Sequence, residues 1–310
     1  MSPRGPYSGR ESSTVIWAAG WDFVLGDTPD EMDPNLLAAR AIDAIGHATP
    51  QNSPTARAAF GNVVAFGLPM VTRTVTGWLL SAAGRINVPL RRELATTLFK
   101  STLSIRSIFQ SSSDATDRIR SRTGGNMETD TESVQVGQAL RGMSNDYTET
   151  VVGPLFYFTL MGVPGAVAYR TTRVLKEKWN DERGDDGKQL RRAANRAFAT
   201  ANFIPSVLSG VFLSWSARWT EGRGHESWEA AREASRERSW QDPRWSHGAV
   251  AGALNVRLMG EIESKVLNPE GKSATIDELR RGRRLFIVAT GLALAATIIL
   301  SGLRHSRPRR

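Results

Sequence analysis

The chain contains no cysteine, which excludes disulfides, thiolate-bound metals and cysteine nucleophiles together and leaves the redox compartment open. Histidine is nearly as scarce. The four residues His47, His225, His247 and His305 show no HxxxH or HxH spacing, so a histidine-built metal site is not expected. No internal repeat is visible in the 310 residues. The mean hydropathy of −0.30 is low for a multi-spanning protein, so a membrane reading rests on where the apolar residues lie and not on how many there are. A net charge of +9 would suit nucleic acid or an anionic membrane surface. The aromatic-rich basic stripe that stacks bases is missing, and the basic residues flank apolar segments. No nucleic-acid partner is expected; the lipid bilayer is.

The apolar residues are clustered. Val151 to Tyr169 is uncharged for nineteen residues, a helix of about 28 Å against the roughly 30 Å of a bilayer's hydrocarbon core. A polar, acid-bearing hexad from Asn145 to Thr150 runs straight into it, Arg170 closes it, and Pro154, Pro164 and Gly165 loosen it. Freed backbone groups and ionisable residues are tolerated in a membrane where other helices or a wet cavity satisfy them, so this stretch points to a site. A buried helix of a soluble protein would give the same segment. Ala197 to Ala217 is uncharged for twenty-one residues and Leu285 to Leu303 for nineteen, the latter with arginines on both sides that leave its orientation ambiguous. Ala58 to Gly84 is interrupted by Arg73 and reads either as one span or as a pair kinked at Pro69, with Arg73 facing protein, water or the interface. Three good spans and two weaker ones result. The expected fold is all-α: a polytopic helical membrane protein with amphipathic surface helices, multi-pass in the cell membrane.

A single helical membrane domain is expected over residues 13–303, after a disordered N-terminus at 1–12 and before a basic tail at 304–310. Polar excursions fall at 111–144, 170–196 and 218–247. Thr14 to Leu25 is interrupted by Asp22 and lacks a small-residue cleavage site, so it does not read as a signal peptide. It ends at the turn Gly26-Asp27-Thr28-Pro29, where Asp27 is either a helix cap or a ligand. Leu36 to Ile45 reads as a short amphipathic helix, and Leu94 to Phe109 as a helix burying Leu98, Leu103, Ile105 and Ile108. Thr129 to Glu132 has the capping-box pattern and opens a surface helix with Val136, Leu140 and Met143 at helical spacing. The segment from Arg170 to Arg192 reads as a solvated helix and loop. The tryptophans at 215, 219, 228, 240 and 245 mark either a headgroup-level surface helix over Ser227 to Arg238 or a soluble hairpin packed by those rings. Ala251-Gly252-Ala253 signals close helix packing.

Several stretches together resemble a known family. Val151-Val152-Gly153-Pro154-Leu155-Phe156-Tyr157 and Gly165 to Arg170 resemble the signature of the CobD/CbiB family of cobalamin-biosynthesis membrane proteins. Leu25-Gly26-Asp27, Ser107, Asn202-Phe203-Ile204-Pro205 and Ala251 to Leu258 agree in order along the chain. The resemblance implies ATP-dependent amide formation between a corrinoid carboxylate, that of cobyric acid, and aminopropanol or its phosphate, giving cobinamide or its phosphate. It implies Asp146, Glu149 and Arg170 as catalytic residues and Asp27, Asn145, Thr148 and Asn202 as substrate-binding ones, with Asp27 and Glu149 as the groups open to magnesium. ATP and magnesium would serve as cofactors if the protein is active, the corrinoid as substrate, and other cobalamin-pathway proteins as partners.

The chain also departs from the family pattern. Where the family hexad reads Glu-Asn-Thr-Ser-Asp-Gly, this chain has Asn145 to Thr150, which keeps the chemical type at Thr148 and Glu149 and exchanges acid and amide at Asn145-Asp146. Lys176 stands in place of a carboxylate, Phe198 and Ala199 in place of an acidic pair, and DPRWSHG in place of a Pro-Asn-Gly-type loop. Lost carboxylates favour a non-catalytic, AmpE-like paralogue that acts as a membrane sensor or assembly partner. The nearly full-length resemblance favours the ligase.

Overall fold

Uncharged stretches bracketed by ions give this chain its long helices. The computed structural model describes residues 11–25, 34–50, 53–122, 129–181, 187–236, 244–259 and 266–306. Its elements are helices α1 (Glu11–Leu25), α2 (Pro34–His47), α3 (Pro54–Ile86), α4 (Val88–Lys100), α5 (Ile105–Arg122) and α6 (Thr129–Asp146), then a π-helical segment, Tyr147–Val152. Helices α7 (Gly153–Asp181), α8 (Lys188–Thr220), α9 (Gly224–Arg236) and α10 (Trp245–Leu254) follow. A two-residue antiparallel ribbon of β1 (Leu258–Met259) and β2 (Val266–Leu267) precedes α11 (Ile276–Ser306). The chain divides into two compact units, one of Met1–Ser104, Gly153–Ala201 and Leu294–Arg310 and the other of Ile105–Val152 and Asn202–Ala293.

In the first unit α3 starts where the Ser53 hydroxyl accepts the Ala56 N–H, and Pro54 fills the first turn, where its missing N–H is not needed. It runs unbroken through Pro69, so Ala58 to Gly84 is one helix and not a kinked pair. Gly61 lets α8 approach: a Cβ there would stand 3.2 Å from the Ala193 side chain. Helix α7 packs on α2, α3 and α4, with the Phe99 and Phe158 rings 4.4 Å apart. Its C-terminal part is not simply solvated, as the charge pattern suggests. Leu175 and Trp179 are buried with Ile42, Leu190 and Ala194 in one apolar cluster, and the charges occupy the opposite stripe, where Lys178 meets Asp43 at 2.9 Å.

Two breaks differ from expectation. The helix read over Leu94 to Phe109 stops at Lys100, because the Ser101 and Thr102 hydroxyls bond back to the Leu98 and Phe99 carbonyls and close the last turn; α5 restarts at Ile105. In α7 the kink falls on Gly162, at φ +70° and ψ −164°, a conformation essentially reserved for glycine, two residues before Pro164 removes a backbone donor.

In the second unit α6 is amphipathic, with Val136, Leu140 and Met143 buried. The Thr129 side chain of the capping box lies outside the described residues. Its partner Glu132 serves another helix: Glu132 Oε1 accepts the Ile276 N–H at 3.2 Å, and Ser133 Oγ accepts the Ala274 N–H at 3.1 Å, so α6 caps the start of α11. Helices α9 and α10 pack backbone to backbone, because a Cβ on Gly248 or Gly252 would run into Ala230, Ala231 and Ser227. Helix α10 ends in a left-handed Asn255, φ 56°, and Asn268 Nδ2 donates to the Ala251 and Val256 carbonyls there. Trp228 stacks on Trp245 within this pair, while Trp215 and Trp219 stack on each other and stay exposed, so the tryptophans both pack a hairpin and face outward.

Four described helices are long and apolar enough to cross a membrane: Pro54–Ile86, Glu132–Asp181, Lys188–Thr220 and Ile276–Leu303. They contain all three of the strong spans read from sequence and the Arg73 segment. Large apolar side chains stand exposed along them, among them Val63, Met70, Trp78, Ile204, Ile299 and Leu303, as lipid-facing surfaces require. The fold is that of an all-α polytopic membrane protein. After carbonate washing without detergent the protein should therefore remain wholly in the membrane pellet; its release into the supernatant would contradict these spans.

Candidate functional site

The polar hexad lies where α6 widens into the π segment. In a π turn the N–H reaches back five residues, so carbonyls of the preceding α-turns lose their usual donors. Local hydroxyls bond back to carbonyls four residues earlier: Ser144 Oγ donates to the Leu140 carbonyl at 2.8 Å, Thr148 Oγ1 to Ser144 at 3.0 Å and Thr150 Oγ1 to Asp146 at 2.7 Å. Tyr147, the first residue of the π segment, is fully buried. Its hydroxyl donates to the Ala289 carbonyl of α11 at 3.0 Å, and its ring meets Phe286 edge-on. Thr148 is buried, Asp146 and Glu149 are half-buried, and Asn145 is exposed. Single π turns inside α-helices are frequent at functional sites.

Asn145 is joined by a residue that sequence reading set aside. His247, at the start of α10 and 8% exposed, approaches Asn145 Oδ1 with Nε2 at 2.8 Å. A carboxamide oxygen only accepts, so His247 carries its proton on Nε2 in this contact. The two residues are 102 apart in the chain, and no short-range spacing marks them as partners. The DPRWSHG stretch thus returns to the hexad through its histidine.

The other predicted residues lie as follows. Asn202 is half-buried on α8 in the second unit; Arg170 is half-buried on α7 in the first. Asp27 lies outside the described residues. The two positions where carboxylates were missed, 176 and 198, do come together in the first unit: Lys176 Nζ sits 4.1 Å above the centre of the Phe198 ring. That ring continues a ladder, with Tyr169 at 6.1 Å and Tyr157 stacked a further 5.1 Å on, and Tyr157 donates its hydroxyl to the Ala201 carbonyl at 3.0 Å.

Among the described residues no three of His, Asp and Glu gather as a metal cage. Asp146 and Glu149 supply two half-buried carboxylates three residues apart in the chain. Such a donor set suits magnesium, which keeps several waters and is held by one or two carboxylates together with substrate phosphates. A cavity of about 570 Å³ opens at the α8–α9 corner, lined by Trp215, Arg218, His225 and Trp228 among others. A second, of about 200 Å³, lies between α3, α7 and α8 of the first unit. None of the predicted site residues lines either one.

The family model described as CobD/Cbib protein matches residues 15–286, a range that takes in the hexad, the π segment and the α9–α10 pair. The chain belongs to the CobD/CbiB family. It is 25% identical over 310 aligned residues, 92% of this chain and 96% of the relative, to the cobalamin biosynthesis protein CbiB of Salmonella paratyphi B. To the cobalamin biosynthesis protein CobD of Citrobacter koseri it is 24% identical, covering 92% of this chain and 97% of the relative. The CobD of Brucella anthropi matches at 29% over about half of each chain. No solved structure matches. These relatives support a role in cobalamin biosynthesis for the CobD/CbiB chain described here.

Replacing Asn145 with Ala would leave the His247 Nε2–H buried without its acceptor, a loss of about 1–3 kcal/mol. The thermal midpoint in detergent should fall for Asn145→Ala and be retained in Asn145→Asp, which keeps an acceptor oxygen; equal midpoints for Asn145→Ala and the parent would remove this contact from the site.

Proposed function

We propose that this protein is a multi-pass cell-membrane protein of the amidation step of cobalamin assembly, joining the cobyric acid carboxylate to aminopropanol or its phosphate. The observation that carries this reading is the family match from residue 15 to 286, which runs through the hexad, the π segment and His247. The new bond joins the corrinoid carbonyl carbon to the amine nitrogen. One carboxylate oxygen leaves with the phosphoryl group as phosphate, and the ammonium gives up two protons, one to become a nucleophilic amine and one after it has attacked. ATP with magnesium supplies the activation that makes that oxygen a leaving group.

This chain's own side chains divide the remaining work. One of Asp146 and Glu149 would hold the magnesium, and the other would accept a proton from the amine. Arg170, a planar fork of donors, faces the anionic charge that develops on the transferred group. Asn145, held by His247, and Thr148, Asn202 and Asp27 bind the polar groups of the two substrates. The π turn supports this assignment, since Glu149 projects from it and Asp146 from the last residue of α6 directly before it.

One observation favours a second reading. Lys176 over Phe198 places a cation and a ring where the family pattern has carboxylates, so that one anionic cluster is replaced by a cation–π pair. A protein with that change would bind corrinoid and other cobalamin-pathway proteins without turnover, as an AmpE-like sensor or assembly partner.

Purified protein in nanodiscs, given cobyric acid, aminopropanol phosphate and magnesium–ATP, decides between the two. The ligase reading expects amide product, and expects Glu149→Gln to lower the rate about a hundredfold, roughly 2.7 kcal/mol of transition-state stabilisation, since the change keeps shape and deletes charge. Turnover unaffected by Glu149→Gln would dismiss the site assignment. No turnover in the parent, with corrinoid binding retained, would favour the sensor.

A further inference from the structure

Helix α8 reaches the end of its uncharged run, Ala197 to Ala217, beside the cavity of about 570 Å³ at the corner with α9. Twenty-one residues rise about 31 Å, the depth of a bilayer's hydrocarbon core, so the last turn of the run stands where hydrocarbon gives way to headgroups. The exposed, stacked pair Trp215 and Trp219 marks the same level, at which amphipathic rings gather. The cavity wall begins inside the apolar run, at Val211, and ends beyond it, at Arg218 and at Glu226 of α9.

The wall carries a cation and an acid that do not neutralise each other: among the described residues neither Arg218 nor Glu226 makes a hydrogen bond or an ion pair. His225, also in the wall, is turned to Glu229 at 3.5 Å. Ser214 lines the cavity and is itself buried, and its neighbours assign its proton. Ser227 Oγ donates to the Ala249 carbonyl at 2.8 Å, which uses the one proton it has, so in the 3.1 Å contact between the two hydroxyls Ser214 is the donor. Ser214 Oγ therefore offers the cavity lone pairs only and needs an N–H or O–H opposite it. The Trp215 and Trp228 indoles line the same space, each held by stacking on another tryptophan, Trp219 and Trp245, and such rings attract an ammonium group.

We infer that this cavity holds the headgroup of phosphatidylethanolamine, a phospholipid of the surrounding bilayer. Arg218 meets the phosphate, and the primary ammonium lies by the indoles and gives its N–H groups to Glu226 and to Ser214 Oγ. The glycerol and acyl chains leave along Val211 toward hydrocarbon. A volume of about 570 Å³ equals some nineteen waters at about 30 Å³ each, enough for the head and the glycerol backbone. A trimethylammonium head has no N–H for Ser214, and a glycerol head has no cation for Glu226, so the wall discriminates among phospholipids. None of these residues belongs to the hexad, and the site does not depend on the amidation reading.

Native mass spectrometry of the full chain in detergent tests this with short-chain phosphatidylethanolamine, phosphatidylcholine and phosphatidylglycerol, each added alone. The parent should retain one phosphatidylethanolamine about tenfold more tightly than either of the others. Glu226→Gln should remove that preference and leave phosphatidylglycerol retention unchanged, while Arg218→Gln should weaken all three about tenfold, because all three carry the phosphate. Both side chains are exposed, so both variants should keep the parent's thermal midpoint in lipid-free detergent, which separates lost binding from lost folding. Phosphoethanolamine, the same head without chains, should not compete at millimolar concentration. Equal retention of the three lipids by the parent, a preference that survives Glu226→Gln, or retention unchanged by Arg218→Gln would overturn the site. Displacement of the lipid by equimolar phosphoethanolamine would overturn a membrane lipid as its occupant.

Discussion

A helix in hydrocarbon has no water to receive the backbone groups it frees, so the protein must satisfy each of them itself. In this chain that demand is heaviest along residues 132–181, where the longest apolar helix is interrupted by a π turn and by the Gly162 kink. The π turn is sustained by the hydroxyls of Ser144, Thr148 and Thr150 and by the Tyr147 bond to Ala289. Those same residues are the neighbours of Asp146 and Glu149. The polar hexad thus carries both the hydroxyls that bond back along the interrupted helix and the candidate carboxylates.

Tight backbone approach is the second means by which each unit packs internally, beside its buried apolar side chains. Tyr169 lies across Gly153, which has no side chain to resist it, and α9 meets α10 through Gly248 and Gly252. Polar bonds between helices add to this, such as Ser216 Oγ to the Leu285 carbonyl at 2.7 Å and Arg281 Nε to Glu221 Oε2 at 2.9 Å. In a bilayer, where lipid tails are as apolar as leucine, close packing and such bonds take the place of the hydrophobic drive between helices.

Much of this was legible in the sequence, and for a physical reason: the length of an uncharged run is a local property. The three strong spans, the helix over Leu36 to Ile45 and the close-packing signal at Gly252 all follow from residues near one another. What was not legible depends on distant partners. Glu132 carries a capping-box signal, yet its carboxylate caps α11, 144 residues on. His247 was set aside because no second histidine stands near it, whereas its partner is the Asn145 amide. Lys176 and Phe198 read as two separate losses until α7 and α8 bring them within one cation–π contact. The kink falls not at Pro154, Pro164 or Gly165, the residues expected to loosen α7, but at Gly162, whose backbone angles only glycine readily tolerates.

The central claim is that this chain works in corrinoid amidation, and it is tested most directly in a cell. A strain lacking its own cobyric acid amidating enzyme, grown on medium without cobinamide and with growth made dependent on cobalamin, should be rescued by this gene and by a version carrying Asn145→Asp. Growth no better than the empty vector, from protein that is expressed and found in the membrane, would contradict the claim.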